Sequence, residues 1–421
     1  RLDPGIHAAA ASETTIVDPR IKSEGDNLLF QIEFVSAKWQ QNEASIVLVL
    51  FDELSHVRQP MDKPLPDMPR KGRGAVSNVT GRFEPHRTIA IDDGWGADPY
   101  HDAPPLRTTL TAERTKRIIT RNDSPDVPFE RSINPYKGCE HGCVYCFARP
   151  THAFLGLSPG LDFETRLFYK PDAAALLEKE LRAPKYKCTV MAMGTNTDPY
   201  QPVERELKIT RRILKVLAAH DHPVGIVTKS STVVRDLDIL GPMGRKGLAQ
   251  VCVSLTTLDR GLARRLEPRC PTPARRLEAI SALADAGVQT GVMAAPMIPV
   301  LNDPELEAIL EAASEAGATI AGYVLLRLPL EIKDLFREWL EAHAPMKAKH
   351  VLKAIRDTRS GQMYVPKFGE RMRGTGVYAD LIKQRFDNAC KSLGLNERRY
   401  DLRTDMFRPP PRKGEQMSLF S

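Results

Sequence analysis

The chain has 421 residues, 42% of them hydrophobic, which is enough apolar material for a sizeable core and at least one compact domain. Its seven cysteines are odd in number and three of them cluster, which argues against a secreted disulfide framework and for a reducing, cytoplasmic compartment in which the thiols serve a metal or a reaction. A net charge of +7 fits a polyanionic partner and fits a solvated basic surface equally well, and no apolar run is long enough to predict a membrane partner.

In chain order, residues 1–68 read as a poorly ordered leader. The proline-rich, charged stretch near its end and the KGRG that follows Met61 suggest Met61 as the natural start. Residues 69–127 are polar and turn-rich and read as an irregular extension, with Asp92, Asp93, Asp98 and Asp102 in a solvated loop.

The stretch 131–150, RSINPYKGCEHGCVYCFARP, then places Cys139, Cys143 and Cys146 within eight residues in the order C-x3-C-x2-C. One loop can wrap three such thiolates around a metal centre and leave its fourth corner open. A structural zinc site is normally closed by four ligands, and four cysteines are usual for electron-transfer clusters. Three at this spacing fit a [4Fe-4S] cluster with one iron free. A zinc knuckle completed by His141, or three buried structural thiols, are the alternatives. With Tyr145 just before the last cysteine, the loop resembles the signature of the radical S-adenosylmethionine (SAM) superfamily. That resemblance implies SAM chelated by the free iron, and its reductive cleavage to a 5′-deoxyadenosyl radical after an external donor supplies the electron.

From here apolar or β-branched runs alternate with amphipathic helices, the mark of parallel βα units. A first strand leads into the cysteine loop. Further strands are predicted at 189–193, 224–228, 250–255, 290–294 and 320–326. Helices are predicted at 204–219, 233–240, from the Thr272-Pro273 cap to Gly287, from Asp303-Pro304 to Gly317, and at 330–342. Six such units over 128–344 predict an α/β fold, a partial (βα)6 TIM-like barrel open on one side. Chemistry in such barrels gathers at the carboxyl ends of the strands. Those ends carry Thr197 and Asp198, then Lys229, then Ser254, hydroxyls and charges suited to the amino and carboxylate groups of SAM.

Residues 128–340 resemble the spore photoproduct lyase-like branch of the superfamily. The matching pieces are the cysteine motif with Tyr145, GTNTDPYQP, VTKS, VSLTT, LEPRCPTPARR and PMIPVLND. The resemblance implies that Tyr145, Thr197, Asp198, Lys229 and Ser254 lie about SAM, with Lys229 and Ser254 on its carboxylate. Two positions depart from the branch. Thr195 stands where the lyase has its hydrogen-donating cysteine, and Phe147 where it has a relay tyrosine. An O–H bond is much stronger than S–H, so a substrate other than spore photoproduct is expected. Cys270, in the loop behind the fourth strand, is the candidate replacement donor; Cys252 and Cys188 are placed less well.

Residues 345–421 read as a basic extension with a helix over 377–393. Arginines from Arg398 to Arg412 interleave with Tyr400 and Phe407, a pattern that suits a phosphate backbone and stacked bases, or a solvated tail. The tail holds Gln416, Met417, Leu419 and Phe420, a near match to the pentapeptide that docks bacterial repair proteins on the sliding clamp. The resulting expectation is a radical SAM enzyme acting on DNA or a DNA-associated substrate. The alternatives are RNA, protein or a small molecule as substrate, and a non-enzymatic, metal-containing nucleic-acid-binding protein.

Overall fold

The computed structural model describes residues 67–84, 106–397 and 401–411, together with the backbone of Ser23–Glu24 and Asn27–Leu28. The chain divides into two compact units, Arg1–Pro60 and Met61–Ser421. In the first, Ser23–Glu24 pairs antiparallel with Asn27–Leu28. Apart from those residues and 67–68, the predicted leader lies outside the described residues. So do the four aspartates of its neighbour, Arg398 to Tyr400, and the Gln416, Met417, Leu419 and Phe420 tail.

Among its described residues the second unit has ten strands: β1 Thr109–Ala112, β2 Ile119–Arg121, β3 Arg131–Ile133, β4 Tyr136–Lys137, β5 Arg166–Tyr169, β6 Met191–Met193, β7 Val224–Thr228, β8 Ala249–Ser254, β9 Gln289–Met297 and β10 Ile320–Leu325. Its main sheet has the order β10-β9-β8-β7-β6-β3-β2. The six strands from β3 to β10 in this order are parallel, and β2 adds an antiparallel edge. Sequential order with parallel pairing is what repeated right-handed βα crossovers produce. The expected six units are therefore present as an open sheet with two edges.

The helices that matter are α1 Ala173–Leu181, α2 Ile209–Ala219, α3 Leu237–Arg245, α4 Arg260–Leu266, α5 Pro273–Asp285, α6 Leu306–Glu315, α7 Ile332–His343, α8 Pro345–Asp357 and α9 Val377–Ser392. Periodicity located α2, whose Ile213, Leu214 and Leu217 are buried, but the helix predicted over 204–219 breaks at Lys208, where φ is 49°. The cause is Glu204, whose carboxylate accepts from the backbone N–H of Ile209 at 2.9 Å and of Thr210 at 3.1 Å and so opens a new helix. Thr272 caps α5 as expected. The helix expected over 233–240 is a 3-10 turn, Ser231–Asp236, followed by α3, which continues past Pro242 because Ile239, Leu240 and Met243 bury its inner face.

Two stretches differ from their polar appearance. The extension before the cysteines contributes β1, which pairs with β5, and β2, which closes one edge of the main sheet. After Ala344 the chain packs against the core beside the open sheet. Ile382, Phe386 and Ala389 of α9 join the main core, and Asn396 donates to the Ala321 carbonyl at 3.0 Å and accepts from its N–H at 2.9 Å. With Leu325 N–H donating to the Met372 carbonyl at 2.9 Å, these bonds occupy an edge strand that would otherwise be free to pair elsewhere. Among the described residues no helix is long and apolar enough to cross a membrane.

Candidate functional site

The cysteine loop leaves β4, turns through Gly138 and Gly142 at φ 77° and 68°, and carries Cys139 and Cys143 buried and Cys146 half-buried, all three as free thiols. Such φ values suit glycine because it lacks a Cβ. A fully buried ion pair holds the loop from beneath. Arg149 donates to Glu164 at 2.5 Å, to the Cys143 carbonyl at 2.9 Å and to the Gly142 carbonyl at 3.2 Å. Glu164 also accepts from the N–H groups of Gly74 at 3.0 Å and Ala75 at 2.8 Å, and a Cβ on Gly74 would lie 1.7 Å from the Gly142 oxygen. Segment 73–75 is thus fitted directly under the loop. Gln201 secures the other side: it accepts from Glu140 N–H at 2.9 Å and donates to the Gly138 carbonyl at 3.2 Å.

The strand ends meet this loop. Lys229 Nζ, just past β7, donates to Ser254 Oγ of β8 at 3.0 Å and lies 5.7 Å from the Tyr145 ring centroid. Burial pulls the Lys229 ammonium down, but Glu267 and the thiols of Cys143 and Cys270 outweigh it and keep the group above its ordinary range, hence charged. The Tyr145 hydroxyl sits 3.1 Å from Thr256 Oγ1 and donates to Glu267, which pairs with the buried Arg276. Burial raises the Glu267 carboxyl, yet Arg276 and then Lys229 overcome it and hold the group at about 2.

Cys270 Sγ lies 3.9 Å from Cys143 Sγ, because the end of α4 and the turn after it are bonded to the loop through Val144 N–H to the Leu266 carbonyl at 3.1 Å and Arg269 N–H to the His141 carbonyl at 3.3 Å. A cavity of about 590 Å³ opens beside it, with Arg205, Ser231, Arg269 and Arg275 among its walls.

Thr197 and Asp198 are engaged within the protein. Thr197 Oγ1 donates to the Tyr136 carbonyl at 3.0 Å. Asp198 accepts from Thr228 Oγ1 and Lys229 N–H, both at 2.7 Å, and from Tyr200 N–H at 2.8 Å, while His141 Nδ1 stands 3.4 Å away. Burial raises the Asp198 carboxyl, but His141 and these donors bring it down to about 2. The carboxylate latches the loop after β6 to the end of β7. Thr195 Oγ1 lies 3.4 Å from Asn134, and burial pushes the Cys188 and Cys252 thiols up to about 11.

Residues 133–313 match the model of the radical SAM superfamily. An uncharacterised protein of Mycobacterium tuberculosis is 38% identical over 251 residues, which is 59% of this chain and 72% of the relative. The chain belongs to the radical SAM superfamily. It is a radical SAM enzyme, and membership implies an iron-sulfur cluster and SAM. A second relative, an uncharacterised protein of Methanocaldococcus jannaschii, is 28% identical over 213 residues, 51% of this chain and 76% of that one. Among solved structures, spore photoproduct lyase complexed with dinucleoside spore photoproduct is similar at a TM-score of 0.49 and 18% identity, covering 68% of this chain and 81% of that one.

The residues present fit the implied group. A cluster spreads its thiolate ligands over separate irons, as three free thiols along one turned loop allow. Sequence reasoning missed Arg149, Glu164, Gln201 and Glu267. Arg149, Gln201 and Glu267 lie inside motifs read from the sequence and Glu164 outside them, but nothing local marks a polar or charged residue that will be buried by a partner far along the chain.

Proposed function

We propose that this radical SAM enzyme holds a [4Fe-4S] cluster on Cys139, Cys143 and Cys146 and acts on DNA or a DNA-associated substrate other than spore photoproduct, in the cytoplasm. The cluster, when bound, supplies one electron that cleaves SAM to a 5′-deoxyadenosyl radical. The observation that carries this reading is the meeting of a three-thiol loop with the charged Lys229 and the Ser254 hydroxyl across two strand ends. Lys229 and Ser254 take the SAM carboxylate. Tyr145 walls the cofactor, while Thr197 and Asp198 position the surrounding loops. Cys270 is the thiol available to return a hydrogen atom, with its sulfur already turned towards the loop. The basic composition supports a nucleic-acid substrate, and the Gln416 to Phe420 segment supports recruitment by a sliding clamp.

Anaerobically reconstituted protein given SAM and a strong reductant is expected to form 5′-deoxyadenosine, and Cys143→Ala is expected to form none. Equal product from the variant would refute the assignment of the loop.

A further inference from the structure

The carboxyl end of β10 carries an arginine with no hydrogen-bonded or ion-paired carboxylate among the described residues, Asp126 acting on it only at longer range. Arg327 lies two residues past Leu325 and is half-buried. Among the described residues it makes no hydrogen bond and no ion pair, its Nε is buried without a partner, and its guanidinium carbon lies 4.9 Å from the centroid of the Phe147 ring. Phe147 directly follows Cys146 and is 44% exposed. Behind them sits Arg359, 1% exposed, which donates to the carbonyls of Leu326 at 2.8 Å and Glu370 at 2.7 Å but leaves its own Nε unpartnered. Burial, and then the repulsion of Arg327, pull the Arg359 guanidinium down to about 10, so it remains charged at neutral pH.

Two neighbouring cations, one half-buried and one buried, with no carboxylate in ion-pair contact with either, are costly to assemble unless the site meets an anion. The planar fork of a guanidinium matches a phosphate, and an exposed aromatic face takes a base of any sequence. The combination recurs nearby: Arg371 Cζ lies 4.5 Å from the ring of Phe368, itself 53% exposed, on the segment that Met372 pins to β10. Asp126 forms its ion pair with Arg371, however, and reaches Arg327 only through its longer-range field, so Arg327 has no ion-paired carboxylate of its own.

We propose that Arg327, backed by Arg359, binds a phosphate of a single-stranded deoxyribonucleotide substrate, and that the Phe147 ring stacks an adjoining base beside the cysteine loop. This rests on the radical SAM reading and deepens it by naming the substrate class and the residues that grip it. It also gives the Phe147 departure from the lyase-like branch a role, with stacking in place of a radical relay.

The test is fluorescence anisotropy of a short, labelled single-stranded deoxyoligonucleotide with the full-length, cluster-loaded protein across a salt series. Arg327→Gln should weaken binding about tenfold and flatten the log-log salt slope by about 0.7, one phosphate contact on a single strand. Phe147→Leu should weaken it by a similar factor with the slope unchanged. Arg327→Lys, which keeps the charge and loses the fork, should keep the slope and lose part of the affinity, and it decides the matter if the Gln variant folds poorly. Unchanged affinity and slope in both arginine variants would overturn the site. Loss of SAM affinity with oligonucleotide affinity retained would overturn it too, by assigning Arg327 to the SAM carboxylate. A wild-type protein without oligonucleotide affinity would sink the substrate class while leaving SAM cleavage standing.

Discussion

The cysteine loop and the end of β10 meet where Arg327 lies over the Phe147 ring, yet they settle their charges in opposite ways. Under the loop, Arg149 and Glu164 are both fully buried and saturate one another and the surrounding backbone. At β10, Arg327 and the Nε of Arg359 are left without such partners. A buried pair that satisfies its own hydrogen bonds is rigid and specifies one geometry, which a cluster loop requires. An unbalanced cation keeps its free energy for a ligand. The contrast separates residues that build the site from residues that use it, and substitutions should divide along the same line.

The largest effect is expected at the builder end. Arg149→Ala leaves a buried carboxylate unpaired and should destabilise the protein by about 3–5 kcal/mol, read by denaturant unfolding, with loss of bound iron after reconstitution. Retention of both stability and iron would break the comparison at its root.

Next comes Glu267, whose folded carboxyl sits at about 2 against 4.5 for the ordinary group. Because the folded value is the lower, its contribution is complete above about pH 4.5 and fades as pH falls towards 2. At most it amounts to about 3 kcal/mol. Glu267→Gln should therefore lower the melting temperature at pH 6 and flatten the fall in stability between pH 4.5 and 2.5. Parallel pH curves for wild type and variant would contradict it.

Lys229→Ala, which removes a charge facing Ser254 and the Tyr145 ring, should weaken SAM binding roughly tenfold, about 1.4 kcal/mol, while iron content stays near that of wild type. Calorimetric titration of the loaded protein with SAM measures it.

The smallest change in stability is expected at Arg327, despite its burial. No hydrogen bond or ion pair is lost, and the contact with the Phe147 ring and the longer-range attraction of Asp126 are offset by removing the repulsion on Arg359, so Arg327→Gln should alter unfolding by less than about 0.5 kcal/mol. A loss as large as that of Arg149→Ala would make Arg327 another builder.

What could be read from the chain follows the range of the interactions. The six βα units and the cap at Thr272 were legible because periodicity and capping act over a few residues. The three cysteines were legible because their spacing is itself the constraint. The break at Lys208 was not, since it depends on the Glu204 side chain folding back on the next helix. Helix α4 is short and carries Gly261 near its start, so its Asp259 cap was a weak signal. The C-terminal segment reads as polar because α8 and α9 bury only one stripe each, and nothing local reveals that Asn396 will pair with Ala321 on the edge strand. In the site, Arg149 reaches Glu164 within 15 residues, but Glu164 reaches Gly74 across 90. Separations of that kind are settled by tertiary packing.

The central claim is that the three-thiol loop carries a cluster with one iron open to SAM. Electron paramagnetic resonance of the reduced, reconstituted protein before and after SAM addition tests it most directly. The account predicts a [4Fe-4S]⁺ signal whose g values move when SAM is added and which is absent from Cys143→Ala. A signal indifferent to SAM, or wild-type protein that holds zinc and no iron after reconstitution, would contradict it.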